Sequence, residues 1–243
     1  MAIGAPAWPP TARATEAPTY AVLSLLGGML TLVTFQPSTG SALDRNLKED
    51  IAVAGMDPAA ASAIISAIAH SQPEALVIPF PSVDDKLLTL GQPKAAIEAL
   101  RSELKNMHAT HVIVATKYRQ AELLRWPRGH VGEGRLAGLG FYQDRTERQP
   151  PQGDPLDQGY SAAYAYARLW WAELSSMQTR DLPVLQSRVW PVMEVAGGAD
   201  PWSVLTPAAR LEDLRALIRQ AMEDGVAKLL GEVNTRTTPI PVG

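Results

Sequence analysis

The 243-residue chain contains no cysteine. That absence excludes disulfides, thiolate nucleophiles and Cys-ligated zinc or iron–sulfur centres. Four histidines and the carboxylates are what remains to hold a metal. An oxidising compartment suits such a composition, because no unpaired thiol is at risk, although many cytosolic chains lack cysteine too. Long apolar runs are also missing: none approaches the roughly 20 residues that a membrane-spanning helix needs. Neither sign of charge dominates, since 22 basic against 25 acidic residues give a formal net charge of -3. Lys and Arg are scattered singly, without the basic stripe that binds phosphate backbones, so nucleic acid is not an expected partner. G-x-S-x-G and G-x-x-x-x-G-K-[ST] do not occur, which removes the nucleophile-elbow and P-loop signals.

What is present suits a folded chain: 46% hydrophobic and 19% charged residues, enough at this length to bury a full core. The Pro/Ala-rich start, residues 1–19, reads as a flexible leader of the kind left where an export signal has been removed. Residues 20–232 are expected to form one α/β domain and residues 233–243 a loose tail. The fold class expected is α/β in the α+β sense: a single mixed, largely antiparallel sheet packed against two or three helices, the last helix long.

Local patterns place the elements. YAVLSLLGGMLTLVTFQ holds two apolar runs around Gly27-Gly28, which reads as a two-residue hairpin between strands 20–26 and 29–36. Asp57-Pro58 reads as a helix cap with a first-turn proline, opening a helix to about Ser71 that buries Ile64, Ile65 and Ile68. EALVIPFP, 74–81, is a continuous apolar run bounded by prolines, as expected of a central strand covered on both faces. From Pro93 a helix carries Ile97, Leu100, Leu104 and Met107 on one stripe, and a long strand, 111–126, follows. After Thr206-Pro207 a long helix carries Leu211, Leu214, Ile218, Ala221, Met222 and Leu229 on one stripe.

HVGEGRLAGLGFYQDR, 130–145, raises the possibility of a phosphate cradle. Such a loop needs glycines followed by a helix N-terminus that supplies oriented N–H groups. Here Gly132, Gly134 and Gly138 are spaced G-x-G-x-x-x-G and lead into a β-rich piece. The segment therefore reads as a hairpin turn over 128–134, with Gly138 and Gly140 marking a bulge or close packing under a neighbour.

Two groups of residues could carry chemistry. Asp84 and Asp85, in the loop after the expected central strand, could join His108 and His111 as a metal-holding cluster for hydrolysis. The histidines straddle a helix–strand boundary, however, and their rings are expected to diverge. In YAYARLWWAEL, period-two alternation puts Tyr164, Tyr166, Arg168 and Trp170 on one face. An aromatic ladder with an arginine suits a stacking or partner-binding surface, or cross-strand packing beneath a covering segment. The opposite face, Ala163, Ala165, Ala167, Leu169 and Trp171, suits close approach of a helix.

The order strand, helix, strand, two or three antiparallel strands, long closing helix resembles envelope proteins related to the TolB amino-terminal domain and the curli-secretion lipoprotein CsgG. ALVIPF, ATHVIVATKYR and YAYARLWWAEL-SSMQTRDLPVLQSRVW carry that likeness over residues 74–230. Two departures stand out: no lipobox cysteine, and SSMQTRDLP where the group has a TG-x-[IV] turn. The resemblance implies a non-catalytic role in assembly or recognition and brings no active-site residues. The function expected is thus a binding or assembly module of the bacterial cell envelope. It would sit in the periplasm or at the envelope, use no cofactor, take a protein partner or envelope component, and be free to form homo-oligomers. The alternatives are a metal-assisted hydrolase and a cytosolic small-molecule binding domain.

Overall fold

The computed structural model describes residues 17–36, 46–80, 93–121, 124–126, 129–132, 134–145, 159–191 and 208–237. Eleven strands and four helices occur among them. The strands are β1 (Thr19–Leu25), β2 (Met29–Thr34), β3 (Leu47–Ala52), β4 (Leu76–Pro79), β5 (His111–Lys117), β6 (Arg119–Ala121), β7 (Leu124–Trp126), β8 (Gly129–Val131), β9 (Arg135–Asp144), β10 (Tyr160–Glu173) and β11 (Thr179–Pro191). The helices are α1 (Met56–Ser71), α2 (Pro93–Ala99), α3 (Arg101–Asn106) and α4 (Ala208–Thr237). Nine strands form one mixed sheet, with β7 and β8 as a separate pair. This is the α+β fold expected, closed by a long helix.

The sheet is organised around the long β10–β11 hairpin. On the side of β10 away from β11, β5 pairs with residues 167–173 and β9 with residues 160–166, so β5 and β9 lie end to end. Beside them, β1 runs parallel to β5 and β2 parallel to β9, so β1 and β2 also lie in line. The outermost lane holds β4 next to β1 and β3 next to β2. Gly27-Gly28 is therefore an in-line break and not the expected hairpin turn. From Leu25 to Thr31 the chain takes six steps, where β10 covers the matching distance, Arg168 to Tyr164, in four. The excess bulges out, and Gly27 absorbs it at φ 72, a left-handed conformation cheap only for glycine.

Asp57 holds this break. Its Oδ1 accepts from the Ser24 hydroxyl (2.5 Å) and the Leu26 N–H (2.8 Å), and its Oδ2 accepts from the Gly27 N–H (3.0 Å). The expected helix-capping role is thus corrected. The N-cap of α1 is Gly55, left-handed and without a side-chain cap, and the Asp57 carboxylate serves the neighbouring strand. Residues 74–81 also differ from expectation. β4 pairs with β1 alone among the described strands, and Leu76 is exposed, so this apolar run is an edge strand. β3, with three consecutive charges in LKEDIA, is a strand that hydrophobic periodicity did not signal. Those charges guard an edge that no described strand pairs.

One face of the sheet is covered by α1 and α4. Ala163, Ala165, Ala167, Leu169 and Trp171 of β10 pack there with Ile64, Ile68, Leu214, Ile218 and Met222, the helix-facing small-residue surface read from the sequence. On the other face, Ile97 of α2, Leu104 of α3 and Leu100 between them cover one end. The helical stripe is as expected, though broken at Leu100 into two short helices. The opposite end is covered by a β-hairpin arm. β6 pairs with the start of β9 and β7 pairs with β8, so residues 119–137 leave the sheet after β5 and return into β9. Trp126 pairs with Gly129, so residues 129–131 are strand and not part of a turn over 128–134 as expected, and Leu124, Val131 and Leu136 of the arm press on Tyr142, Tyr160, Tyr164 and Tyr166. The hairpin itself is as expected, and strand β9, not a helix, follows its glycines.

Candidate functional site

Gly140 shapes the floor of a hollow beneath the arm. A Cβ on Gly140 would stand 1.9 Å from the Thr31 carbonyl oxygen and 2.7 Å from the Tyr164 hydroxyl. Its absence lets Tyr164 reach across β9 and donate to the Thr31 carbonyl at 3.2 Å. Above that floor opens a hollow of about 280 Å³, lined by Thr31, Val33, Lys48, Asp50, Arg119, Arg135, Ala137 and Tyr164. Alternation puts Lys48 and Asp50 on one face of β3, opposite Val33 and Thr31 of β2. Arg119 and Arg135 come from the base of the arm, where β6 runs beside β9. Thr31 Oγ1 donates to Asp50 (2.7 Å), and Lys48 Nζ donates to the Arg135 carbonyl (3.3 Å), tying β3 to the arm. Among the described residues, three cations and one carboxylate thus line a hollow with a buried aromatic floor.

Of the face expected to bind, Tyr164 and Tyr166 are fully buried, because the arm lies over them. Their rings meet edge to face at 5.5 Å. Tyr164 reaches the hollow only as part of its lining. Arg168 and Trp170, beyond the arm, reach the surface. The Arg168 guanidinium lies 4.4 Å from the Tyr118 ring centre and 5.7 Å from that of Trp170, with Asp181 of β11 at 3.4 Å. The Trp170 indole N–H finds no acceptor among the described residues.

The Asp/His cluster does not come together in what is described. Asp84 and Asp85 lie outside the described residues. His108 sits exposed at φ 53, the left-handed residue that ends α3, with its N–H bonded to the Lys105 carbonyl. The His111 ring is instead stacked on Tyr20 (5.0 Å between centres) and tilted against Trp171 (5.4 Å), with Nδ1 2.8 Å from Thr110 Oγ1. Burial pushes the His111 imidazole below its ordinary value, opposed by Glu173 opposite it in the register. Ser176 and then Ser175 hold the Glu173 carboxyl below the usual carboxylate range. An S-x-x-K match, Ser102 to Lys105, sits with both residues exposed on α3, whereas that chemistry needs an enclosed lysine beside the nucleophile.

Sequence reasoning missed Lys48, Arg119 and Arg135. They lie on three strands and up to 87 positions apart, and no local pattern joins them. Only the alternation Lys48-x-Asp50 carried a signal, and it required β3 to be recognised first.

No known protein-family profile matches the chain, and no curated protein matches it. Among solved structures it is similar to an uncharacterized protein, with 9% identity over 90% of this chain and 99% of that one at TM-score 0.35. It is also similar to the hypothetical protein CT253 from Chlamydia trachomatis, with 11% identity over 90% and 99% at TM-score 0.35. A third is the PelC dodecamer from Paraburkholderia phytofirmans, with 10% identity over 86% and 87% at TM-score 0.32. Similarity at this level says nothing of function.

Proposed function

We propose that the chain is a non-catalytic binding or assembly module of the bacterial cell envelope, acting through β11 and the surface beside it. The observation that carries this is the 13-residue strand β11, paired along one side with β10 and along the other with no described strand. An edge that no described strand pairs offers a row of backbone donors and acceptors to an added strand. Pro183 in its middle limits pairing there, which leaves two shorter stretches for a partner strand. Arg168, Trp170 and Asp181 lie at the same end and supply the aromatic and guanidinium groups that dominate binding hot spots. The envelope location rests on the resemblance in element order and on the composition.

Arg168→Ala with Trp170→Ala tests it, in cells, by affinity recovery of partners from envelope fractions. Loss of a specific co-purifying chain, with the melting temperature kept within a few degrees, supports the proposal. Unchanged recovery, or a protein found wholly in the cytosolic fraction, rejects it. Tyr166→Ala is unsuitable for this purpose: it empties a fully buried site and would cost about 3–5 kcal/mol of stability.

A further inference from the structure

We propose that β11 pairs with β11 of a second copy of this chain, antiparallel and around a two-fold axis through Ser187. The inference rests on the reading of β11 as a binding edge and names the occupant of its longer stretch, residues 184–190. Hydrogen-bond parity is the first ground. The Glu173 N–H donates to the Gln178 carbonyl, continuing the unbroken register that runs from Ala172↔Thr179 to Tyr160↔Pro191. Antiparallel strands alternate bonded and non-bonded pairs, so the even-numbered residues of β11 turn their backbone groups to β10 and the odd-numbered ones turn theirs outward. The bond from the Tyr118 N–H to the Tyr166 carbonyl gives the same parity from the β5 side. The outward row therefore includes Pro183 and Pro191, whose missing N–H groups cost the β10 ladder nothing.

A proline in that row sets its ring where an added strand would place a carbonyl, so pairing stops there. Between the stops lies a block whose outward donors are Leu185, Ser187 and Val189. Two such blocks overlap in full only when their centres coincide, and the centre is Ser187. An axis at Pro183 would put the stop in the middle of the ladder. With the axis at Ser187, Ser187 faces Ser187, and Leu185 of each copy faces Val189 of the other, three pairs that exchange two hydrogen bonds each. The side chains agree with this register. Leu185 and Val189, half-buried on the arm face, meet across the axis, and Val184 meets Trp190 on the helix face, both apolar cross-strand pairs. Arg188, exposed and bonded to Asp213, falls opposite Gln186 of the second copy, whose amide donates to Asp224 of α4 at 3.4 Å. Each copy thus brings a cation toward a carboxylate of the other. Strand β7 meets β11 here through the Ser187 hydroxyl, which accepts from the Arg125 N–H at 2.8 Å, a side-chain contact outside the outward backbone row.

Sedimentation equilibrium of the full chain tests the proposal. A dimer of twice the 26.2 kDa chain is expected. Ser187→Pro removes a donor from the outward row and none from the β10 ladder, so it should raise the dissociation constant at least about tenfold while the urea midpoint stays near that of the parent. The register is read separately, because the chain has no cysteine. Under mild oxidation Ser187→Cys should form a disulfide-linked dimer, since bonded antiparallel pairs hold their Cα atoms about 5.5 Å apart, whereas Val189→Cys should not. This second measurement needs no proline and decides the matter even where Ser187→Pro does not fold. A chain monomeric at every concentration overturns the proposal, as does a dimer indifferent to Ser187→Pro or cross-linking at 189 and not at 187. Recovery of another chain through Arg168 and Trp170 by a monomeric protein rejects the second copy and keeps the proposed function. A Ser187-dependent dimer, beside partner recovery unchanged in Arg168→Ala with Trp170→Ala, keeps the second copy and rejects the envelope partner.

Discussion

Replacing Asp57 distinguishes two roles for one carboxylate. As a helix cap, Asp57 would be exchangeable for Ser or Asn at a cost of a few tenths of a kcal/mol, because all three cap well. As the clamp of the β1–β2 break, it accepts three hydrogen bonds, from Ser24, Leu26 and Gly27. Leu26 is fully buried and Ser24 nearly so, so water does not readily replace the lost acceptor. Leaving buried donors unsatisfied costs about 1–3 kcal/mol each. For Asp57→Ala, two such donors with partial relaxation of the half-buried third give about 3–5 kcal/mol in all. At about 2–4 °C per kcal/mol for a chain of this size, the melting temperature should fall by roughly 6–20 °C. Asp57→Ser, too short to reach the strand, should lose nearly as much. Asp57→Asn, which keeps one acceptor oxygen but turns an amide toward the Gly27 N–H, should fall between. Urea titration followed by circular dichroism reads these differences at constant slope. A Ser variant within about 0.5 kcal/mol of the parent would refute the clamp.

Gly140→Ala places a methyl against a backbone oxygen, which cannot rotate away, and against the Tyr164 hydroxyl; it should cost at least about 3 kcal/mol, and a urea midpoint like that of the parent would show that β9 and β2 do not approach as described. The depressed pKa of His111 makes stability pH-dependent: the folded state binds the proton less readily than the unfolded state, so stability is complete above about pH 6.5 and is lost as pH falls through the lower folded value. His111→Phe keeps the stack on Tyr20 and Trp171 and should flatten that decline, leaving the separate loss below about pH 4.5 from carboxylates such as Glu173; an unaltered slope between pH 6.5 and 5 would assign the proton uptake elsewhere.

The parts of the fold that were legible are those whose cause is local. The stripes of α1 and α4, the broken stripe of α2 and α3, and the alternation of β10 follow from side-chain periods of 3.6 and 2.0, and the structure buries most of the helix residues so identified, with Ile65, Met107 and Leu211 half-buried at the margins. What failed needed knowledge of a neighbour. Gly27-Gly28 supports a reversal or an in-line bulge equally well, and only the pairing of β1 with β5 and of β2 with β9 decides between them. The apolar run of β4 looked central because apolarity marks contact with something, without marking how many strands flank it. Tyr164 and Tyr166 looked like a surface because the segment that covers them, the arm over 119–137, showed as strand and glycine turn without showing where it would lie.

The in-line break and the basic hollow have a common origin. Because β1 and β2, like β5 and β9, fill one lane each in two pieces, the sheet has a seam where both lanes are interrupted. At that seam the chain departs from β5 at Tyr118, whose N–H bonds to the Tyr166 carbonyl, and re-enters at Gly138, whose N–H bonds to the Tyr118 carbonyl. Lys117 closes it from above, donating to the Met29 carbonyl and lying so close to Gly138 that a Cβ there would be 2.7 Å from its side chain. The arm must begin and end at this point, so the residues just outside it, Arg119 on one side and Arg135 on the other, are brought opposite β3. The cations therefore converge because the sheet is discontinuous, and the glycines at 138 and 140, which resemble a phosphate loop in sequence, border this hollow through the strand contacts they permit.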